Sequence, residues 1–212
     1  MATHSDSQSS VDDLVMPTSS RAQPRARALL RPLTTKLWKF HFEGFENLPE
    51  SGPAILCPNH ISFLDSVFTM VHAGRQISFV GKAEYMDSWK TKYLFPALGM
   101  IPIDRSGGSK SEGALLAAEA VLRRGELFGI FPEGTRNLND DVELLPFKSG
   151  LYHLSQQFPD VEVIPVWISN LKRVMPKGAL VPLPLLSTVI FGAPLTFTVH
   201  TDKNDFLLQA QK

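Results

Sequence analysis

Residues 109–131 read SKSEGALLAAEAVLRRGELFGIF. Leu115, Leu116, Ala118, Val121 and Leu122 recur at helical spacing, and Gly125 stands where a helix can end in a left-handed residue. Glu126 to Phe131 follows as a short, mostly apolar run of strand type. Helix, glycine stop and strand in succession form the repeating step of a parallel sheet covered by helices. The alternation extends in both directions. Phe40 to Phe45, Pro53 to Cys57, Ile77 to Val80 and Met100 to Ile103 predict strands, with a helix over Phe63 to Ala73. Further along come a helix over Lys148 to Phe158, a β-branched strand over Val161 to Ile168, a strand over Thr188 to Gly192 and a helix over 203–211. The expected fold is a single α/β domain with a largely parallel central sheet flanked by helices. No internal repeat is found, and in such sheets the chemistry gathers at the carboxyl ends of the strands.

The chain has 212 residues, 43% of them hydrophobic, with 21 basic and 21 acidic side chains and one cysteine. That length suits one domain, and the apolar content excludes wholesale disorder. Cys57 permits no internal disulfide and no cysteine-based metal site. Zero net charge argues against a dedicated nucleic-acid binder, but the average hides three blocks. Residues 1–20 carry −3 and are Ser-rich; 21–39 carry +6, from Arg21, Arg25, Arg27, Arg31, Lys36 and Lys39; 40–212 carry −3. Residues 1–26 are expected to be a disordered tail, without the basic start and apolar run of a signal peptide.

Residues 27–39 form a basic stub in which Leu30, Leu33, Leu37 and Phe40 fall on one side of a helix beginning near Pro32. It is either an amphipathic segment lying on an anionic membrane or a core-packing helix with a basic outer face. The most apolar stretch, Ala54 to Val71, is broken by Asn59, His60, Ser62, Asp65 and Ser66, so no segment is expected to span a bilayer.

Three polar clusters stand at strand ends. In Cys57-Pro58-Asn59-His60-Ile61-Ser62-Phe63-Leu64-Asp65 a histidine can act as general base and an aspartate five residues on can orient its ring. Alternatively, Ser62-x-x-Asp65 is a capping box opening the next helix. In Gly99-Met100-Ile101-Pro102-Ile103-Asp104-Arg105 a strand ends in a guanidinium fork suited to phosphate or carboxylate, or in an Asp104–Arg105 surface pair of little worth. In Ile130-Phe131-Pro132-Glu133-Gly134-Thr135-Arg136 backbone N–H groups, the Thr135 hydroxyl and Arg136 can cradle an anion, while Glu133 binds a hydroxyl or orients Arg136. There is no G-x-S-x-G, Walker loop, G-x-G-x-x-G or zinc motif, and His4, His41, His72, His153 and His200 sit in no pattern. A base without a protein nucleophile, beside an arginine-rich anion site, points to activation of a hydroxyl on a phosphorylated acceptor.

These residues together resemble the glycerolipid acyltransferases. N-H-I-S-F-L-D at 59–65 resembles that family's N-H-x-x-x-x-D signature, and G-M-I-P-I-D-R at 99–105 its second motif. F-P-E-G-T-R at 131–136 resembles the third and V-I-P-V at 163–166 the fourth, in the same order, over roughly residues 40–195. The likeness is greatest to bacterial 1-acyl-glycerol-3-phosphate acyltransferases, and it makes 40–212 an acyltransferase domain.

The resemblance implies transfer of a fatty acyl group from acyl-CoA or acyl carrier protein, without a cofactor or metal, to the 2-hydroxyl of 1-acyl-glycerol-3-phosphate. The product is phosphatidic acid, made for phospholipid synthesis. It makes His60 the base, Asp65 its orienting partner, and Arg105, Glu133, Gly134, Thr135 and Arg136 the acceptor-binding residues, with Arg105 and Arg136 on the phosphate. Lys82 stands where the family often has a basic residue, although an exposed strand-end lysine explains it equally well. Asn59 and Ser62 shape the turn, and Pro165 a strand or tunnel wall. Other lysolipid acceptors, such as a lyso-ornithine lipid, and a non-catalytic lipid-binding relative remain as alternatives. Relatives often carry hydrophobic N-terminal helices. Here only the stub can serve, so attachment is expected to be peripheral and salt-sensitive, on the cytoplasmic face of a bacterial inner membrane. The chain ends at Lys212 as a helix begins, which is short for the family.

Overall fold

Strands with consecutive apolar side chains must be covered on both faces. Ala54–Pro58 is buried along its whole length, with Ala54 and Leu56 in one core and Ile55 and Cys57 in the other. The computed structural model describes residues 18–38, 40–86, 91–103, 110–176, 182–195 and 202–211. Its seven strands are β1 (Phe40–Glu43), β2 (Ala54–Pro58), β3 (Ile77–Lys82), β4 (Met100–Ile103), β5 (Leu127–Gly129), β6 (Glu162–Ser169) and β7 (Ser187–Phe191). They form one sheet in the order β1-β7-β6-β2-β5-β3-β4. β6 and β7 pair antiparallel and every other neighbouring pair is parallel.

The helices are α1 (Thr18–Leu37), α2 (Leu64–His72), α3 (Leu94–Leu98), α4 (Lys110–Arg123), α5 (Gly150–Gln157), α6 (Leu171–Val174) and α7 (Lys203–Ala210). One core joins the sheet to α2, α3 and α6 through Phe68, Val71, Leu98, Leu171 and Val174, with Ala26 and Leu30 of α1 against it. The other joins it to α4, α5 and α7 through Val121, Leu122, Leu151, Leu154 and Phe206. Gly125 ends the α4 turn with φ +73°, as the 109–131 stretch predicts. The order β2-β5-β3-β4 aligns the carboxyl ends of four parallel strands, so the loops that follow them share one rim.

The N-terminal segment departs from expectation. α1 begins at Thr18 and runs through both Pro24 and Pro32, so residues 18–26 are helical rather than tail and the helix starts well before Pro32. Residues 1–17 lie outside the described residues. An interior proline costs a helix about 3 kcal/mol or more, and here docking offsets that cost. The buried Gln23 amide donates to the Ile77 carbonyl at 2.7 Å and to that of Leu98, and the Arg27 guanidinium donates to the Arg75 carbonyl. Thr34 is buried with its hydroxyl 2.9 Å from the Leu30 carbonyl and 3.0 Å from His72 Nε2, and the Trp38 indole donates to the Leu183 carbonyl at 2.8 Å. The core-facing stripe is therefore Gln23, Ala26, Leu30 and Thr34. Half of it is polar, and a hydropathy pattern does not register it. Leu33 and Leu37, expected beside Leu30, are 53% and 47% exposed, and Leu29 is 76% exposed.

His72 holds α1 to α2. Its ring stacks on Phe42 at 4.5 Å, and burial, followed by the nearby Arg31 charge, lowers its pKa to about 4. A depressed base favours the fold above its ordinary pKa of 6.5 and gives up that stability as pH falls from 6.5 through about 4. His72→Phe keeps an aromatic ring and removes the titration, so its melting temperature should fall less over that interval than the wild type's. Parallel melting curves across that pH range check this.

Candidate active site

Asn59 continues from β2 and holds the chain beside β6. Its N–H donates to the Val166 carbonyl at 3.3 Å, its side-chain oxygen accepts from Ile168 N–H at 2.7 Å, and its Nδ2 donates to the Ile168 carbonyl at 2.9 Å. The side chain thus stands in for a strand residue, leaving the next residue, His60, free to turn out over the rim. His60 Nδ1 lies 2.9 Å from Asp65 Oδ2, and that same oxygen accepts the N–H groups of Ile61 and Ser62, each at 2.7 Å. An oxygen already accepting two amide protons is an acceptor for the ring as well. Nδ1 therefore carries the imidazole proton and the Nε2 lone pair is left available.

Ser62 Oγ accepts from Leu64 N–H at 3.3 Å. α2 is capped at Phe63 without a side-chain bond and Asp65 N–H donates to the Ser62 carbonyl, so the expected capping box is not formed as such; the Asp65 carboxylate instead gathers the Ile61 and Ser62 amides and the His60 ring. Asp65 is fully buried; burial raises its pKa, and the His60 ring, then the Ser62 and Ile61 amides, pull it back.

The imidazole lies flat on Phe131, with centroids 3.9 Å apart and planes 19° apart. Phe131 in turn stacks on Phe79 at 5.3 Å. Phe79 lies over Gly129, where a Cβ would come within 2.2 Å of its ring. The His60 ring thus rests on an aromatic stack seated on a glycine of β5. Sequence periodicity marks Phe79 and Phe131 only as strand residues and carries no sign of this stack.

Glu133, Gly134, Thr135 and Arg136 follow β5, and their turn is bonded to the His60 loop. Glu133 Oε1 accepts from His60 N–H at 2.6 Å, Oε2 accepts from Leu145 N–H at 3.0 Å, and Asn137 N–H donates to the His60 carbonyl at 2.6 Å. Glu133 is 1% exposed, so its carboxylate braces two loops. No hydrogen bond joins it to Arg136 among the described residues. Gly134 has φ +66°, and a Cβ there would stand 3.0 Å from Lys148 Nζ, so Lys148 crosses the turn. Thr135 is exposed and Arg136 half-buried, and among the described residues neither makes a hydrogen bond or ion pair.

Lys82 ends β3 half-buried, in register with Ile103 of β4. Arg105 lies outside the described residues. Pro165 sits in β6 with its ring 2.8 Å from where a Cβ on Gly192 would stand, which accounts for glycine there, and its carbonyl accepts from Gly192 N–H at 2.8 Å. Cys57 is no nucleophile: it is buried with its thiol 3.5 Å from the Ile164 carbonyl, and burial raises its pKa to about 12. Lys148 and Lys172 are the cations that motif reading missed, because neither belongs to a spaced pattern. Lys172 lines a cavity of about 270 Å³ together with Ile61, Ser62 and Arg136.

Gly129→Ala should force the Phe79 ring, and with it Phe131 and His60, out of place. The expected cost is about 1–3 kcal/mol by denaturant melting, with the His60 ring resonances shifted in the NMR spectrum of the folded variant. An unchanged spectrum would remove the stack from any role in setting the ring.

The chloroplastic 1-acyl-sn-glycerol-3-phosphate acyltransferase of Arabidopsis thaliana is 30% identical over 143 residues, covering 67% of this chain and 39% of the relative. The 1-acyl-sn-glycerol-3-phosphate acyltransferase of Borreliella burgdorferi is 25% identical over 157 residues, covering 74% of this chain and 58% of the relative. This chain thus spans roughly two-fifths to three-fifths of the length of these relatives. The crystal structure of the 1-acyl-sn-glycerophosphate acyltransferase of Thermotoga maritima superposes with a TM-score of 0.69 at 22% identity, over 89% of this chain and 75% of that one, and shares the fold. The family model described as Acyltransferase matches residues 39–169, the span that contains His60, Asp65 and the Glu133–Arg136 turn, and the chain belongs to that family.

Proposed function

We propose that this chain transfers a fatty acyl group from an acyl thioester to the 2-hydroxyl of 1-acyl-glycerol-3-phosphate, forming phosphatidic acid. The observation that carries this reading is that the Asp65-oriented imidazole stands in a loop bonded directly to the turn bearing Arg136. A base and a free guanidinium on one rim suit an acceptor that has both a hydroxyl to activate and a phosphate to hold.

His60 Nε2 takes the proton of the acceptor hydroxyl as its oxygen attacks the thioester carbonyl. The tetrahedral intermediate collapses with cleavage of the C–S bond, and the imidazolium returns the proton to the departing thiolate. The products are an ester and a free thiol. Asp65 holds the ring through Nδ1 and stabilises the imidazolium between the two transfers. No acyl-enzyme forms, because the acceptor is itself the nucleophile. Arg136 binds the acceptor phosphate, with Thr135 beside it and Arg105 and Lys82 as further cations of the site. Glu133 and Gly134 shape the turn. The donor is acyl-CoA or acyl carrier protein, and the reaction needs no other cofactor.

The acceptor and product are membrane lipids, and α1 offers a surface to meet them. Leu29, Leu33 and Leu37 form an exposed apolar ridge beside the exposed Arg25, Arg31 and Lys36. No helix among the described residues is long and apolar enough to cross a membrane. We place the protein peripherally on an anionic membrane, on the cytoplasmic face of a bacterial inner membrane, through this ridge.

With labelled acyl-CoA and a lysolipid panel, the wild type should acylate lysophosphatidate in preference to lyso-ornithine lipid. His60→Ala should lower the rate about 10²–10⁴-fold, and transfer that survives the substitution would sink the mechanism. Arg136→Ala should raise the KM for lysophosphatidate about tenfold or more, while an unchanged value would reject its phosphate role. In flotation assays the protein should bind vesicles containing anionic lipid and release with added salt, and Leu29→Ser with Leu33→Ser should weaken binding about tenfold. Equal binding to neutral vesicles would remove the electrostatic contribution.

A further inference from the structure

The 270 Å³ cavity opens beside the candidate base: Ile61 and Ser62, whose amides hold Asp65, form one wall, and Arg136 and Lys172 are the cations that line it among the described residues. We propose that Lys172 is a second phosphate ligand of the acceptor site, that it confers preference for a phosphomonoester over a phosphodiester headgroup, and that Asp140 competes with the substrate for it. The proposal rests on the acyltransferase reading above.

Three features carry it. First, the demand is for two charges. A phosphomonoester bears about −1.5 to −2 near neutral pH, which one guanidinium leaves only partly compensated, whereas a lysophosphodiester carries a single negative charge. Second, the Lys172 ammonium lines the same cavity as Arg136 from a different strand connection, the α6 segment that follows β6. Cations carried by separate segments of one cavity can share a phosphate between them, as a single side chain cannot.

Third, Lys172 already holds an anion. Its Nζ lies 2.6 Å from Asp140 Oδ1 and donates to the Leu138 carbonyl at 2.8 Å, which leaves one of its three protons without a partner among the described residues. The Asp140 side chain is 88% exposed and that of Lys172 28% exposed, so water screens the pair and it is weak. A doubly charged phosphate already anchored on Arg136 can displace this carboxylate. Until it does, Asp140 occupies the cation. The rest of the lining, including Met175, is apolar and suits the glycerol and first methylenes of a lysolipid.

The alternative is that Lys172 merely clamps the 138–140 loop, and steady-state kinetics on the full chain separate the two. Lys172→Met should raise the KM for lysophosphatidate about tenfold, with the KM values for lysophosphatidylethanolamine and for acyl-CoA held within about twofold. Asp140→Asn should lower the KM for lysophosphatidate about twofold, and it should have no effect in the Lys172→Met background. Equal increases for both lysolipids, or an increase for the acyl donor instead, would overturn the proposal in favour of a structural clamp or a donor site. If Arg136→Ala raises the KM for lysophosphatidate and Lys172→Met does not, the role of Lys172 fails while the acyltransferase reading stands. If the wild type does not acylate lysophosphatidate at all, that reading fails and takes this proposal with it.

Discussion

One carboxylate oxygen organises the site. Asp65 Oδ2 takes the His60 ring and the amides of Ile61 and Ser62 at 2.7–2.9 Å, while Oδ1 is buried without a partner among the described residues. Removing a carboxylate from water costs several kcal/mol, and charge-assisted bonds return about 1.5–3 kcal/mol each, so three donors on one oxygen can offset it and one cannot. The turn and the imidazole are therefore a single cooperative unit. If the ring leaves, the carboxylate loses the strongest of its compensations; if the turn opens, the ring loses its tautomer. Placing Asp65 in the first turn of α2 makes this possible, because a carboxylate there faces back over the preceding loop.

The sheet then brings the second half of the site to this unit. His60 and Arg136 are far apart in sequence, yet β2 and β5 are neighbours running in the same direction, so the loops that follow them meet. Glu133 fixes the meeting by accepting one amide from each of two loops. Packing reaches the chemistry by a parallel route, from Gly129 through Phe79 and Phe131 to the face of the imidazole. The His60 imidazole is thus held at its edge by a hydrogen bond and on its face by aromatic contact, leaving Nε2 as its open position.

The boundaries of β2, β4, α2, α4 and α7 were legible because short continuous apolar runs and helical apolar periods, with Gly125 as a stop, leave little choice. His60 and Asp65 were legible because local turn chemistry brings them together. α1 was not, because proline is a strong local signal and the contacts that overrule it, from Gln23 and Thr34, join residues distant in sequence. The direction of β7, antiparallel to β6, is likewise a tertiary choice. Glu133 looked like a substrate ligand because its partners, the His60 and Leu145 amides, are backbone groups to which no side-chain pattern points. Lys172 carries no motif, since it comes to line one cavity with Arg136 only once β6 lies beside β2.

The two ends of α2 tie these observations into one mechanical unit. Asp65 in its first turn orients the His60 ring, and His72 in its last meets Thr34 of α1, about two helical turns away. α1 is fixed at its other end by Gln23, whose amide reaches carbonyls of Ile77 at the start of β3 and Leu98 at the end of α3. Here the Leu29–Leu33–Leu37 ridge is the outer face of a helix whose inner face is bonded to the element that carries Asp65, so binding the ridge to a bilayer would also orient the His60 rim relative to its surface. The proposed peripheral attachment would in that case be an orienting device, and α1 has the two faces it would need: a half-polar inner stripe bonded to the domain and an apolar, basic outer one.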